Sequence, residues 1–144
     1  MSVLFAVGSA LLIGRAMQSS GLAASIASAS SGVLTASNPR VILAAVYLLT
    51  LVFTELLPNA AAAVLAFPIA HAWATAAGLH FLPFGVSIAV AASAGFASPL
   101  GYQTHLMVYG VGGYRFSDFV RIGVPLDLIA MALTVAIAPV AFPF

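Results

Sequence analysis

The sequence predicts an all-α integral membrane fold with a helical hairpin and a broken transmembrane helix. Three observations point there. The 144 residues are 63% hydrophobic and 5% charged, with three acidic residues, four arginines and no lysine, and the mean hydropathy is +1.18. A water-soluble surface carries several times that charge density, so the apolar majority faces lipid or other protein. Apolar runs of near-spanning length follow one another along the chain. Two of these runs are interrupted by polar stretches containing proline or glycine, and irregular backbone at membrane depth survives only inside protein or beside water.

The same composition excludes other classes. A net charge near +1 offers none of the clustered basic surface that phosphate binding needs, so the partner is the bilayer and not nucleic acid. Without cysteine there is no disulfide, thiolate metal site or cysteine nucleophile. Residues 1–10 carry no basic region, and the hydrophobicity runs far past any cleavage site, which argues against a signal peptide.

Taken in order, residues 3–13 are apolar and end at Gly14-Arg15. They rise roughly 16 Å as helix, short of a crossing of about 30 Å, and define an opening helix over 1–17. Residues 18–37 are rich in Ser, Ala and Gly, with a thin stripe of Leu22, Ile26, Val33 and Leu34. That pattern suits an interfacial segment or a small-residue connector packed on its neighbours.

Asn38-Pro39 starts a helix, with Asn as cap and Pro at the first helical position. Residues 38–78 then read as a hairpin whose tip lies at 58–60. The run 41–57 is interrupted only by Thr50, Thr54 and Glu55, Pro58-Asn59 breaks it, and helix resumes at Ala60 with Pro68 able to kink it. At roughly 55 Å as helix, 41–77 is too long for one crossing. The tip carries no charge or aromatic anchor suited to water, so a re-entrant hairpin with its tip inside the protein is expected.

A second break of the same type follows. The broken helix covers 84–111, with the break over 98–105 (Ser98-Pro99-Leu100-Gly101-Tyr102-Gln103-Thr104-His105). Residues 112–118 form a surface loop flanked by Arg115, Arg121 and a belt of Tyr and Phe, and 120–143 make the terminal span. Two arginines on each expected side leave the orientation open.

Paired interrupted helices point to a solute site. The second hairpin limb begins at Asn59-Ala60, so its first amides and the positive dipole end are available to an anion without any cationic side chain. The first limb's last carbonyls, with the Thr54 hydroxyl and the Asn59 amide oxygen, suit Na⁺ or another small cation. Each residue also has a plainer role. Asn59 can serve only as an N-cap. Glu55 is an ion ligand, a proton carrier or a structural partner for Arg40 or a histidine, with the structural role favoured. Asp127 is expected to cap or to pair with Arg121. His71 and His80 read as interfacial, and His105 lies in the second break, but three scattered histidines make no metal site.

These residues resemble a known family. Thr54-Glu55-Leu56-Leu57-Pro58-Asn59-Ala60-Ala61-Ala62 and Ala91-Ala92-Ser93-Ala94-Gly95-Phe96-Ala97-Ser98-Pro99-Leu100-Gly101-Tyr102-Gln103-Thr104 are similar to the divalent anion/sodium symporters (solute carrier family 13, ion transporter superfamily). The run from Gly101 through Tyr109-Gly110 to Gly113-Tyr114-Arg115-Phe116-Ser117-Asp118-Phe119 resembles bacterial permeases of that family with regulatory domains between two membrane halves. The resemblance covers the second half of the family's inverted repeat. It implies sodium-coupled uptake of small anions of the sulfate or dicarboxylate class, Na⁺ as coupling ion and no other cofactor. It further implies a sodium shell from Thr54, Leu57, Asn59 and Gly101, and a substrate face from Asn59, Ala60, Gln103 and Thr104. Pro58 and Ala60 depart from the family's Ser-Asn-Thr signature and remove two hydroxyls, and His105 replaces a common asparagine.

The reading is thus a multi-pass protein of the cell membrane, bacterial inner membrane in type, acting as part of a permease with a first half-repeat or a second copy as partner. The alternative is a truncated, non-transporting fragment or a half-size subunit that needs a partner chain. An intramembrane enzyme is disfavoured for want of an acid–base pair beyond Glu55 and distant histidines.

Overall fold

The computed structural model describes residues 38–144, together with Leu12, Ala16, Ser19, Ser20, Gly21 and Ser25. The helix expected over 1–17 and the connector over 18–37 fall, but for those six positions, outside the described residues. Everything described at element level is helical.

Helix α1, Pro39–Leu56, starts as its sequence dictates. The Asn38 side chain accepts from Arg40 N at 3.0 Å, and Pro39 opens the first turn. Ile42, Leu43, Val46, Tyr47, Thr50, Leu51 and Thr54 are buried on one face. The helix stops because Leu57 precedes a proline and is extended, at φ −128° and ψ 156°.

Helix α2, Asn59–Ala76, follows after Leu57 and Pro58. Ala62, Ala66, Ala70 and Ala74 are buried at a spacing of four, a small-residue stripe that lets α2 lie close to its neighbours. Its end is a Schellman turn. Gly78 has φ +67°, its N–H reaches Thr75 O at 3.1 Å, and Leu79 N reaches Ala74 O at 2.9 Å. Helix α3 covers Leu82–Ala92, α4 covers Gln103–Val111, and α5 covers Phe116–Ala141. At the start of α5, Arg115 N donates to Asp118 Oδ2 at 2.8 Å, one half of a capping box.

Helix α1 is the centre, packing along α2, α3 and α5. Ile42, Leu43 and Val46 meet Ala66, Ala70, Phe84, Ile88 and Ala138 in one cluster. Tyr47 and Leu51 meet Ala91 and Ala94 in a second, nearer the breaks. Helix α5 runs antiparallel to α1, with Asp127 opposite Glu55 and Thr134 opposite Tyr47. Asp127 lies roughly 11 residues into α5, so that helix continues about 16 Å beyond the hairpin tip. Helices α1, α2 and α5 are each long and apolar enough to cross a membrane, and the outer face of α5 (Leu128, Ile129, Leu133, Ile137) is exposed and apolar.

Two boundaries differ from the sequence expectation. The break occupies residues 93–102 instead of 98–105, and within it Phe96 N is shared between Ala94 O at 3.1 Å and Asp127 Oδ1 at 3.3 Å while Ala97 N is held by Glu55 Oε1. The last helix begins at Phe116, ahead of the expected 120, and the Asp118 cap shortens the loop before it.

Candidate functional site

The site begins with a missing hydrogen. Within an α-helix the Thr54 carbonyl would accept from the N–H four residues on, and that residue is Pro58, which has none. Thr54 O is therefore left over at the end of α1. It points at the second break. A Cβ placed on Gly101 would stand 2.6 Å from Thr54 O, so only glycine allows the backbone at 101 to come so near.

The rest of Thr54 is held just as closely. The side chain is fully buried, and its Oγ1 lies 2.7 Å from Ala92 O and 3.1 Å from Asn59 Oδ1. A hydroxyl has one proton, and the shorter contact to Ala92 O, the last residue of α3, takes it. The oxygen's lone pairs then face Asn59. Either the amide is turned so that its NH₂ donates to Oγ1, or two oxygens face each other and a cation shared between them relieves the repulsion. Asn59 is not the N-cap that the sequence allowed. Pro58 occupies that position, accepting from Ala61 N at 2.8 Å and Ala62 N at 3.1 Å. Asn59 is the first helical residue, with its side chain turned back across the tip.

Beside this cluster lie two carboxyls. Ala97 N donates to Glu55 Oε1 at 3.0 Å, and Phe96 N donates to Asp127 Oδ1 at 3.3 Å. Two consecutive amides of the break are thus held by α1 on one side and α5 on the other, which places the two carboxyls side by side. Asp127 is 3% exposed. Helix α5 approaches so near because residue 123, one turn before Asp127, is glycine, and a Cβ there would overlap Phe96 O and Ala97 Cα.

Of the residues singled out from sequence, the structure gathers Thr54, Asn59 and Gly101. Leu57 bridges Thr54 and Asn59 along the chain, with its N–H spent on Phe53 O. Ala60 is exposed beside Asn59. Gln103 and Thr104 open α4 just after Gly101, and among the described residues no hydrogen bond ties Thr104 to the tip. Glu55 Oε1 accepts from Ala97 N at 3.0 Å and not from Arg40 or a histidine. Asp127 corrects the expectation of a pairing with Arg121. Arg121 is exposed, while Asp127 turns inward because the Phe96 amide and the Glu55 carboxyl lie there. The signal that could have found it is an aspartate lying well inside a 26-residue helix whose residues from Ile122 on are otherwise apolar but for Thr134. His105 Nδ1 sits 3.3 Å from Ser98 O, with its ring against Tyr102 and Phe119 at 5.4 and 5.6 Å. His71 and His80 are exposed.

The tip thus gathers the oxygens of Thr54 and Asn59 beside the break, and the bonded amides of α2 begin only at Ala61. The sequence profile of a family described as the tripartite ATP-independent periplasmic transporter, DctM component, matches residues 1–143. The chain belongs to this transporter family. Its sequence thus places it in a transporter family and not in an enzyme family. Relatives carry matching names. An uncharacterized transporter of Synechocystis is 43% identical over 132 residues, covering 92% of this chain and 22% of its own length. Sodium/sulfate cotransporter 1 of Chlamydomonas reinhardtii is 34% identical over 127 residues, covering 88% of this chain and 14% of its own. Solute carrier family 13 member 2 of Oryctolagus cuniculus is 36% identical over 84 residues, covering 58% and 14%. The transporter chain spans less than a quarter of the length of each of these.

Proposed function

We propose that this transporter chain supplies one hairpin tip and one cation shell of a sodium-coupled carrier for small anions of the sulfate or dicarboxylate class, as in the divalent anion/sodium symporters. The observation that carries the reading is Thr54, where the end of α1, the start of α2 and the break after α3 converge. The shell comprises the Thr54 hydroxyl and carbonyl, the Asn59 amide oxygen and the Leu57 and Gly101 carbonyls, all neutral hard oxygens of the kind that take Na⁺ from water. Beside it, the Asn59 and Ala60 amides precede the first bonded amides of α2 and present the positive helix end to an anion.

The depth of the tip supports the same reading. If α5 crosses the bilayer, a tip that meets it at Asp127 lies near mid-membrane, as a re-entrant hairpin requires, and binding sites of such carriers lie at that level. Ala60 and the segment at Gln103 and Thr104 form this chain's part of the anion face. The remainder comes from a first half-repeat or a second copy, consistent with the short share of its relatives that the chain covers.

The test is sodium binding followed by hydrogen exchange. In lipid nanodiscs, Na⁺ but not K⁺ is expected to protect amides over 94–101, and Thr54→Val is expected to remove the difference. Equal protection by both ions would end the cation-shell reading. Reconstituted alone the chain is expected to show no Na⁺-dependent sulfate flux where a first half-repeat supplies the remainder, and measurable flux from a homomer would assign that remainder to a second copy.

A further inference from the structure

Most of α4 is exposed. It meets α5 through rings fanned around Phe119, with His105 at 5.6 Å, Tyr109 at 5.9 Å and Tyr114 at 6.1 Å between ring centres. The rings act as spacers, and between the two helices lies a cavity of about 280 Å³. Phe96 of the break and Gly123 close its inner end. Val108, Ile122 and Leu126 form its walls, and Tyr114 and Asp118 stand at the opposite end.

The cavity is slender and has a direction. Its volume falls just below the roughly 300–1,000 Å³ of pockets that take whole small molecules. From Asp118 to Leu126 is roughly 12 Å along α5, close to one leaflet of a hydrocarbon core about 30 Å thick. Its wall continues down α5 as a stripe, because Ile122, Leu126, Ile129, Leu133 and Ile137 recur at helical spacing and are all exposed. The cavity therefore opens sideways onto the face that α5 turns to lipid. An alkyl chain lying along the bilayer normal fits this space, and a compact polar solute does not.

The outer end carries one charge of each sign. Arg115 is exposed beside Tyr114, whose ring folds back on Gly112 so closely that a Cβ there would overlap it. Asp118 is also exposed, and it gives Oδ2 to the Arg115 amide at 2.8 Å, so Oδ1 remains to accept. A guanidinium suits a phosphate, and a carboxylate suits an ammonium. The two within one turn match a headgroup that carries both charges better than one that is only anionic.

We propose that the groove between α4 and α5 is a phospholipid site, with an acyl chain in the cavity, the phosphate on Arg115 and the headgroup amine on Asp118. The lipid fills the space between α4 and the rest of the bundle, and the end of its chain touches Phe96 within the break. Nothing in this site depends on a cation at Thr54.

Native mass spectrometry of the intact chain reads the site, with phosphatidylethanolamine, phosphatidylglycerol and phosphatidylcholine of the same acyl chains added in turn. The chain is expected to retain one phosphatidylethanolamine under conditions that strip the other two. Arg115→Gln is expected to weaken retention roughly two- to fivefold, what one exposed ion pair supplies. Asp118→Asn keeps the cap acceptor and is expected to erase the preference over phosphatidylglycerol. Val108→Trp puts a larger side chain on an exposed wall position and is expected to abolish retention while the chain stays folded. Arg121→Gln is the control for general attraction, since Arg121 points about 100° round α5 from Ile122, and it is expected to change nothing. Equal retention of the three lipids, or retention that survives Val108→Trp, overturns the site. So does an equal loss in Arg115→Gln and Arg121→Gln. Lipid-free dimers that part on Val108→Trp would assign the groove to a second copy and overturn it as well.

Discussion

The backbone of Gly101 lies so close to the carbonyl of Thr54 that a single methyl at 101 would stand 2.6 Å from that oxygen. The contact joins the end of one helix to the break in another across 47 positions of sequence. Gly101→Ala must push the break away from the tip. Overpacking of this kind costs about 1–3 kcal/mol, so the variant is expected to melt lower and to lose Na⁺-dependent protection. Gly110→Ala is the control. Nothing lies within 4 Å of a Cβ there, and alanine is the better helix former by about 1 kcal/mol, so its melting temperature is expected to hold or rise.

Thr54 separates into two functions that substitution can distinguish. Thr54→Val keeps the shape but leaves Ala92 O without its 2.7 Å donor, a buried loss of about 1–3 kcal/mol. Thr54→Ser keeps the hydroxyl and gives up the methyl. Both are expected to destabilise, but only the valine variant is expected to abolish Na⁺-dependent exchange protection. Equal loss in the two would assign Thr54 to packing.

Much of this site was legible in the sequence, and the limits have physical causes. The Asn38-Pro39 start, the stop at Pro58 and the convergence of Thr54 with Asn59 follow from local rules, because proline removes one donor and fixes the chain nearby. Gly101 came from resemblance, and the reason for it, a backbone contact with Thr54, is a long-range fact. Asp127 was misplaced for the same reason. Arg121 is near it in sequence and Glu55 is not, so a local reading favours the wrong partner. The break starts earlier than the apolar run suggests because Ala94 and Phe96 look helical, while the partners that hold Phe96 and Ala97 are carboxyls on other helices.

Tyr47 offers a prediction of opposite sign. Its hydroxyl is buried without a good hydrogen bond, and a buried polar group without a partner is itself a cost. Tyr47→Phe is therefore expected to leave stability within about 1 kcal/mol or to raise it. A larger fall on thermal unfolding in detergent would show that the hydroxyl has a partner, such as water, that matters.

Gly123 sets the distance between α5 and the break. A Cβ there overlaps the Phe96 carbonyl, which is backbone and has no rotamer to escape into. Gly123→Ala is expected to push α5 away from the break, lowering the melting temperature and speeding hydrogen exchange at the Phe96 amide that Asp127 Oδ1 accepts. Gly123→Ala with an unchanged melting temperature and unchanged Phe96 exchange would mean that α5 does not hold the break.

Pro58 carries the most direct test of how the tip works, because it leaves Thr54 O unpaired by lacking an N–H. Pro58→Ala restores the donor and removes a residue that is about 3 kcal/mol less favourable than alanine within a helix. The end of α1 can then wind one turn further and close on its own carbonyl. Folding is expected to stay intact or become firmer, since the α1–α2 packing rests on Ala66, Ala70 and Val46 far from the tip. Cation binding is expected to weaken, because the oxygen that faced Gly101 now accepts a hydrogen bond. The two readouts therefore move in opposite directions, stability up and Na⁺-dependent protection down. If both hold at their wild-type values, the unpaired carbonyl is not what the cation uses, and the shell would have to be drawn from Asn59 and the Thr54 hydroxyl without it.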